Sequence, residues 1–135
     1  MKGIYLALGS NLGDRRKFLS RARVALMEAG IDVLKTSRIL ETEPLGGLDQ
    51  PKYLNMVIEV ESDLAPRDLL KKCLRIEEEL GRERHAKWGA RTIDIDILLF
   101  GNQIIDSPDL KIPHPEIHNR GFVLQGLREC GAKMD

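Results

Sequence analysis

The sequence predicts a single-domain α+β sandwich around a largely antiparallel sheet, and three observations carry that expectation. Two long amphipathic stretches with helical spacing are interspersed with short strand-like runs. The later runs are joined in the manner of hairpins, and glycine or proline punctuates the junctions. The length, 135 residues, is that of one domain, here 1–135. The element order β-α-β-loop-β-α-loop-β-β-α lies near the ferredoxin-like arrangement.

Ile4-Tyr5-Leu6-Ala7-Leu8 is a continuous apolar run closed by Gly9-Ser10-Asn11, as expected of a buried central strand. Asp14 is placed to cap a helix that lines up Phe18, Leu19, Ala22, Leu26 and Ala29 on one face and stops at Gly30. From Ile31 to Glu43 β-branched residues interleave with charges, the pattern of a half-exposed strand. The segment 44–51 holds two prolines and two glycines and reads as a loop, and Tyr53 to Glu61 alternates as another strand. Pro66 opens a second helix, where its missing N–H costs nothing; Leu69, Leu70, Cys73, Ile76 and Leu80 form its apolar stripe and Gly81 ends it. Residues 82–90 are polar and aperiodic, hence a loop. Arg91 to Phe100 is a strand, turned by Gly101-Asn102-Gln103 into a short partner at Ile104-Ile105. Pro108, Pro113 and Pro115 suggest an irregular stretch before a closing helix within 119–129.

Composition limits the function classes. Lys plus Arg number 21 against 21 Asp plus Glu, which weighs against a general nucleic-acid or membrane-surface binder. Neither partner is expected. Two cysteines offer no disulfide framework or metal spacing, and Cys73 falls within a helical stripe as a buried thiol. The apolar run near the N-terminus is too short for a signal-peptide core or a membrane span, so the cytoplasm is the expected compartment.

Residues 87–98 are the most informative. Alternation sends Ile93, Ile95 and Ile97 to the core and leaves Asp94 and Asp96 on the opposite face, their Cα atoms roughly 6.7 Å apart. Two carboxylates so close repel, and a hard divalent cation would relieve the repulsion. The loop leading into them carries Arg82, Arg84, Lys87 and Arg91 against one acid, Glu83, together with His85 and the chain's single tryptophan, Trp88. Forked guanidinium donors beside a carboxylate pair are the components needed to handle a polyphosphate. A solvated strand face behind a charge-rich loop is the plainer alternative. Pro113-His114-Pro115 holds a histidine on stiff backbone, where it could donate to a phosphate oxygen. Tyr53 and Asn55 share one strand face, and Phe122 follows Arg120-Gly121. The turn at 9–14 lacks the ending of a P-loop.

Together these residues resemble the family of 6-hydroxymethyl-7,8-dihydropterin pyrophosphokinases of folate biosynthesis. The resemblance runs from Leu8-Gly-Ser-Asn-Leu-Gly13 to Arg120-Gly-Phe-Val-Leu124, and residues 87–98 are its most specific piece. Thr42-Glu-Pro44-Leu-Gly46, Gln50-Pro-Lys-Tyr53-Leu-Asn55, Arg75-Ile-Glu77 and Pro113-His114-Pro115 support it. It implies transfer of pyrophosphate from ATP to the hydroxymethyl oxygen of the reduced pterin, releasing AMP. Asp94 and Asp96 would hold two Mg²⁺ ions, and Asp96 is the nearest candidate to activate the hydroxyl. Arg82, Arg84 and Arg91 would neutralise charge during transfer. ATP would meet Glu77, Arg84, Trp88, Arg91, Ile97, His114 and Arg120, with Glu77 on the inner face of the second helix. The pterin would lie between Tyr53 and Phe122, read by Asn55 and by backbone near Thr42 and Leu45, with Trp88 closing over it. ATP and the pterin are the expected partners, and a monomer is favoured. Glu43, Leu74, Asp109, Lys111 and Gly126 depart from the residues usual in the family.

Two rival readings stay open from the residues themselves. One is a ferredoxin-like binding module for RNA or a small regulator, although six aromatics offer little to stack on bases. The other is a metal-dependent phosphohydrolase using the same acids.

Overall fold

Five strands build the main sheet: β1 (Ile4–Ser10), β2 (Asp32–Thr36), β3 (Leu40–Thr42), β4 (Tyr53–Glu61) and β5 (Asp94–Phe100). Their order is β2-β4-β1-β5, with β3 also paired to β4, and these pairings are all antiparallel. Helices α1 (Arg15–Glu28) and α2 (Pro66–Glu79) follow β1 and β4; a small hairpin, β6 (Ile105–Ser107) and β7 (Leu110–Ile112), follows β5. A short 3₁₀ turn (Ile117–Asn119) leads into α3 (Gly121–Glu129). This computed structural model describes residues 3–43, 51–81 and 92–133.

The helices begin and end where their chemistry dictates. The Asp14 carboxylate accepts the Lys17 N–H at 3.2 Å and so satisfies one of the donors left over at the start of α1. Gly30 and Gly81 take φ of +84° and +92°, left-handed values that let the chain turn off each helix without a Cβ clash. Pro66 opens α2 as its first residue.

Alternation along the strands builds two different faces. Ile4, Leu6 and Leu8 of β1, Met56, Ile58 and Val60 of β4, and Ile95 and Ile97 of β5 pack with Leu19 and Leu26 of α1 and Leu69, Cys73 and Ile76 of α2. The other face carries Tyr5, Val57 and Leu98 under Val123 and Leu127 of α3, with Ile117 beside them. The sandwich therefore has a partial third layer, and α3 supplies it.

Three sequence expectations are corrected in detail. The predicted strand from Ile31 to Glu43 is two strands, because Thr36 pairs with Ile58 while Leu40 pairs with Asn55. Four steps on one side meet three on the other, and the additional residue interrupts the ladder. Ser37 bridges the break: its N–H donates to Val57 O and its Oγ accepts from Val57 N, both at 2.8 Å. Second, Ile104-Ile105 does not pair with β5. Ile104 is 83% exposed in the connection, and Ile105 begins a hairpin against Ile112. Third, the stretch around Pro108 is ordered rather than irregular, since Pro108 sits in the turn of that hairpin, where no ladder N–H is needed.

Candidate active site

The second face of the sheet changes character where α3 stops covering it. Along β4 the outward positions run Val57, Asn55, Tyr53; along β1, Tyr5, Ala7, Gly9. Register places Asp96 opposite Ala7, Asp94 opposite Gly9, and Gly9 opposite Asn55, while Leu40 and Thr42 of β3 face Asn55 and Tyr53. Directly opposed residues project to one side of an antiparallel sheet. Asp94, Asp96, Tyr53, Asn55 and Thr42 therefore share one face, floored at its centre by a glycine.

That glycine is required by close packing. A Cβ on Gly9 would stand 2.9 Å from Asn55 Oδ1 and 3.4 Å from Tyr53 Cδ1, so both side chains lean over bare backbone. Asn55, 8% exposed, donates through Nδ2 to Thr42 Oγ1. The Tyr53 hydroxyl lies 3.5 Å from Asp94 Oδ2, which joins the aromatic position to the carboxylate pair. Asp94 is half-buried and Asp96 exposed, whereas Ile93, Ile95 and Ile97 are buried on the other side as alternation requires.

Glu77 lies on the inner face of α2 as expected, but it is 3% exposed and meets backbone: Oε2 accepts the Ile95 N–H at 2.7 Å. Ile97 turns its side chain into the α-helical core, so what it can offer a ligand is its main chain at the sheet edge. The backbone N–H of His114 donates to Leu98 O at 2.9 Å, which docks it beside β5. Its Nδ1 accepts from Glu116 N at 3.1 Å, so in the neutral ring the proton sits on Nε2 and that nitrogen is a donor. Arg120, half-buried, precedes α3; its Nε is buried without a hydrogen-bond partner and stands 4.0 Å from Glu116 Oε2. Phe122 packs against the α3-side cluster in the first turn of α3. Leu45, Arg82, Arg84, Trp88 and Arg91 lie outside the described residues.

Several departures from the family pattern have their own local roles. Asp109 accepts from Arg67 at 2.6 Å, and Asp106 pairs with Lys111 at 2.7 Å; each cation holds its carboxylate below the ordinary range. The Arg67 contact fastens the β6–β7 hairpin to α2, and the Asp106–Lys111 pair ties the two strands of the hairpin together. Leu74 is 46% exposed. Gly126 is where α3 meets β4, since a Cβ there would lie 2.4 Å from Val57 Cγ2.

A sequence model of the 7,8-dihydro-6-hydroxymethylpterin-pyrophosphokinase family matches residues 5–132. The chain belongs to this family. It is 48% identical over 127 residues to the 2-amino-4-hydroxy-6-hydroxymethyldihydropteridine pyrophosphokinase of Bacillus subtilis, covering 93% of this chain and 75% of that protein. The protein of the same name from Haemophilus influenzae is 44% identical over 131 residues, 96% of this chain and 82% of its own. That from Aquifex aeolicus is 39% identical over 129 residues, 96% and 80% respectively. Two long-range clamps also tie the surrounding strands together. Arg15 Nη1 of α1 donates to Glu41 Oε2 at 3.0 Å and to Lys52 O at 2.8 Å, joining β3 to the segment that enters β4. Glu129 of α3 accepts from Arg38 N at 2.8 Å and from the Arg38 guanidinium, pinning the β2–β3 link. No local pattern announces either clamp, because each joins residues far apart in the chain.

The residues present suit a hard cation. Asp94 and Asp96 offer oxygen donors from one strand face, and among the described residues no group of three or more His, Cys, Asp or Glu could enclose a metal. A magnesium ion commonly keeps such an open site, with phosphate and water oxygens completing its shell.

Proposed function

We propose that the part of the second face beyond α3 holds the reduced pterin and the ATP triphosphate together, the pterin over Gly9 and the phosphates over Asp94 and Asp96. As a member of its family the protein transfers a pyrophosphoryl group to hydroxymethyldihydropterin in folate biosynthesis. The reading of the site rests on one observation: Tyr53, Asn55, Asp94 and Asp96 converge on a glycine-floored face where α3 ends.

Tyr53 and Phe122 would sandwich the pterin ring, with Asn55 and the backbone near Thr42 and Leu45 meeting its polar edge. The Asn55–Thr42 contact orients the amide before substrate arrives. The hydroxymethyl oxygen then attacks the β-phosphorus of ATP, the bond to the AMP oxygen breaks, and the hydroxyl proton passes to Asp96 or to water. Arg82, Arg84 and Arg91 would hold the charge that builds on the transferred group, and His114 Nε2 and Arg120 would donate to phosphate oxygens. Trp88 would cover the site, and the Ile97 main chain would meet the nucleotide. Two Mg²⁺ ions on Asp94 and Asp96 would supply charge neutralisation and alignment of the triphosphate when bound. A cytoplasmic monomer without nucleic-acid or membrane partners fits a small-molecule enzyme of this kind. No helix among the described residues is long and apolar enough to cross a membrane.

The direct test is AMP formation from ATP and Mg²⁺ with and without the reduced hydroxymethylpterin. AMP should form only with the acceptor present. Acceptor-independent release of AMP or phosphate would favour a phosphohydrolase instead.

A further inference from the structure

Among the described residues Glu77 is the one buried charged side chain. A carboxylate at 3% exposure is costly unless its oxygens are bonded, so its partners bear on what it does there. Its Oε2 accepts from the backbone N–H of Ile95, at 2.7 Å. Among the described residues β5 ends the sheet order, with β1 on one side and no strand on the other. An outward N–H on an edge strand needs an acceptor from elsewhere, and α2 delivers one at this position.

The position is specific. Ile95 separates Asp94 from Asp96, and its N–H belongs to the peptide plane joining it to Asp94. Holding that plane sets the direction of the Asp94 side chain and, one residue on, that of Asp96. On the far side the Asp94–Gly9 and Asp96–Ala7 pairings hold the same segment to β1. The carboxylate pair thus sits on backbone gripped from both edges. Resting on the metal reading above, we propose that Glu77 is a positioning residue: it fixes the Asp94–Ile95 peptide so that both aspartates present their oxygens to a divalent cation at one spacing. It acts on the aspartates through the strand, by way of the Ile95 N–H. Residues that orient ligands in this way commonly matter ten- to a hundredfold to metal affinity.

Three substitutions separate positioning from mere stapling of α2 to β5. Glu77→Gln keeps an acceptor oxygen at the same reach. Glu77→Leu fills about the same space and removes the acceptor, leaving the Ile95 N–H without it. Glu77→Asp keeps the charge but draws the carboxylate back by one methylene. Each full-length variant is titrated with Mn²⁺ by electron paramagnetic resonance, with and without a non-hydrolysable ATP analogue. Exchange of the Ile95 amide is followed by NMR, and thermal midpoints are recorded.

Glu77→Gln should bind Mn²⁺ within about threefold of wild type with Ile95 still protected. Glu77→Leu and Glu77→Asp should each lose about tenfold or more, with faster Ile95 exchange. A folded Leu variant with wild-type Mn²⁺ affinity overturns the proposal, as does a Gln variant that loses as much as Asp. If the Leu variant does not fold, the Gln and Asp pair decides alone. An Asp94→Asn, Asp96→Asn double variant binding Mn²⁺ like wild type would defeat the metal reading itself; loss in that variant with retention in Glu77→Asp defeats only the positioning role.

Discussion

The two faces of the sheet are built from the same strands and meet opposite demands. On the face under α1 and α2, positions from Ile4 to Leu8 on β1 and from Met56 to Val60 on β4 are apolar and close to fully buried. On the other face, the buried apolar residues Tyr5, Val57 and Leu98 lie with α3. Moving out from its shadow, Val57 gives way to Asn55, Tyr5 to Ala7 and Gly9, and Leu98 to Asp96 and Asp94. A strand steps only about 3.3 Å per residue, so two positions suffice to pass from packed core to reactive surface. The filled face carries stability; the half-covered face borrows its rigidity from it.

That division makes the variants fall into two classes. The largest effect is expected at the acids: Asp94→Ala or Asp96→Ala should lower turnover by about two to three orders of magnitude, while the thermal midpoint moves by less than about 3 °C. Wild-type turnover in both would remove the chemistry from this face. Leu69→Ala, beneath the opposite face, should cost about 2–5 kcal/mol in urea unfolding and leave turnover per folded molecule intact. A kinetic defect without a stability loss would show that the faces are not separable. Gly126→Ala tests the boundary. Its Cβ would strike Val57, so about 1–3 kcal/mol should be lost, and KM for the pterin should rise more than KM for ATP. If both constants stay unchanged, the seating of α3 does not shape the site.

Gly9→Ala is a smaller and sharper perturbation. Crowding Asn55 and Tyr53 should raise the pterin KM about tenfold, roughly 1.4 kcal/mol, with little effect on ATP. An equal rise for both substrates would place the floor elsewhere. The mildest prediction concerns Cys73 on the filled face. Burial, with Glu77 and Asp96 adding their charges, pushes its thiol from 9.0 up to about 12. Because the folded value is the higher, the protonated thiol favours folding below pH 9, and that contribution fades as pH rises from 9 through about 12. At pH 8 the native chain should resist iodoacetamide at Cys73, and urea should expose it to labelling, as mass spectrometry would show. Rapid native labelling would mean that the filled face opens readily.

Much of this was legible along the chain. The burial of Ile93, Ile95 and Ile97 against Asp94 and Asp96, the shared face of Tyr53 and Asn55, the Asp14 cap and the glycine stops all follow from local periodicity and local capping. What escaped depends on register. The interruption at Ser37 depends on how β4 is already paired, and the hairpin at 105–112 on β-pairing that proline spacing conceals. Helical spacing could put Glu77 on the inner face of α2 but could not show that its carboxylate meets the Ile95 amide.

By itself the sequence determined the α+β class, the two long helices, the family and the acidic pair, because alternation and capping act over a few neighbouring residues and can be read there. Only the tertiary structure decided that α3 covers half of one sheet face, that Gly9 floors the remainder, and that Glu77 grips the strand between the acids. Those arrangements join residues up to 91 positions apart, as Arg38 and Glu129 are. Contacts of that kind arise from strand register and helix docking, which leave no periodic trace in either partner's own stretch of chain.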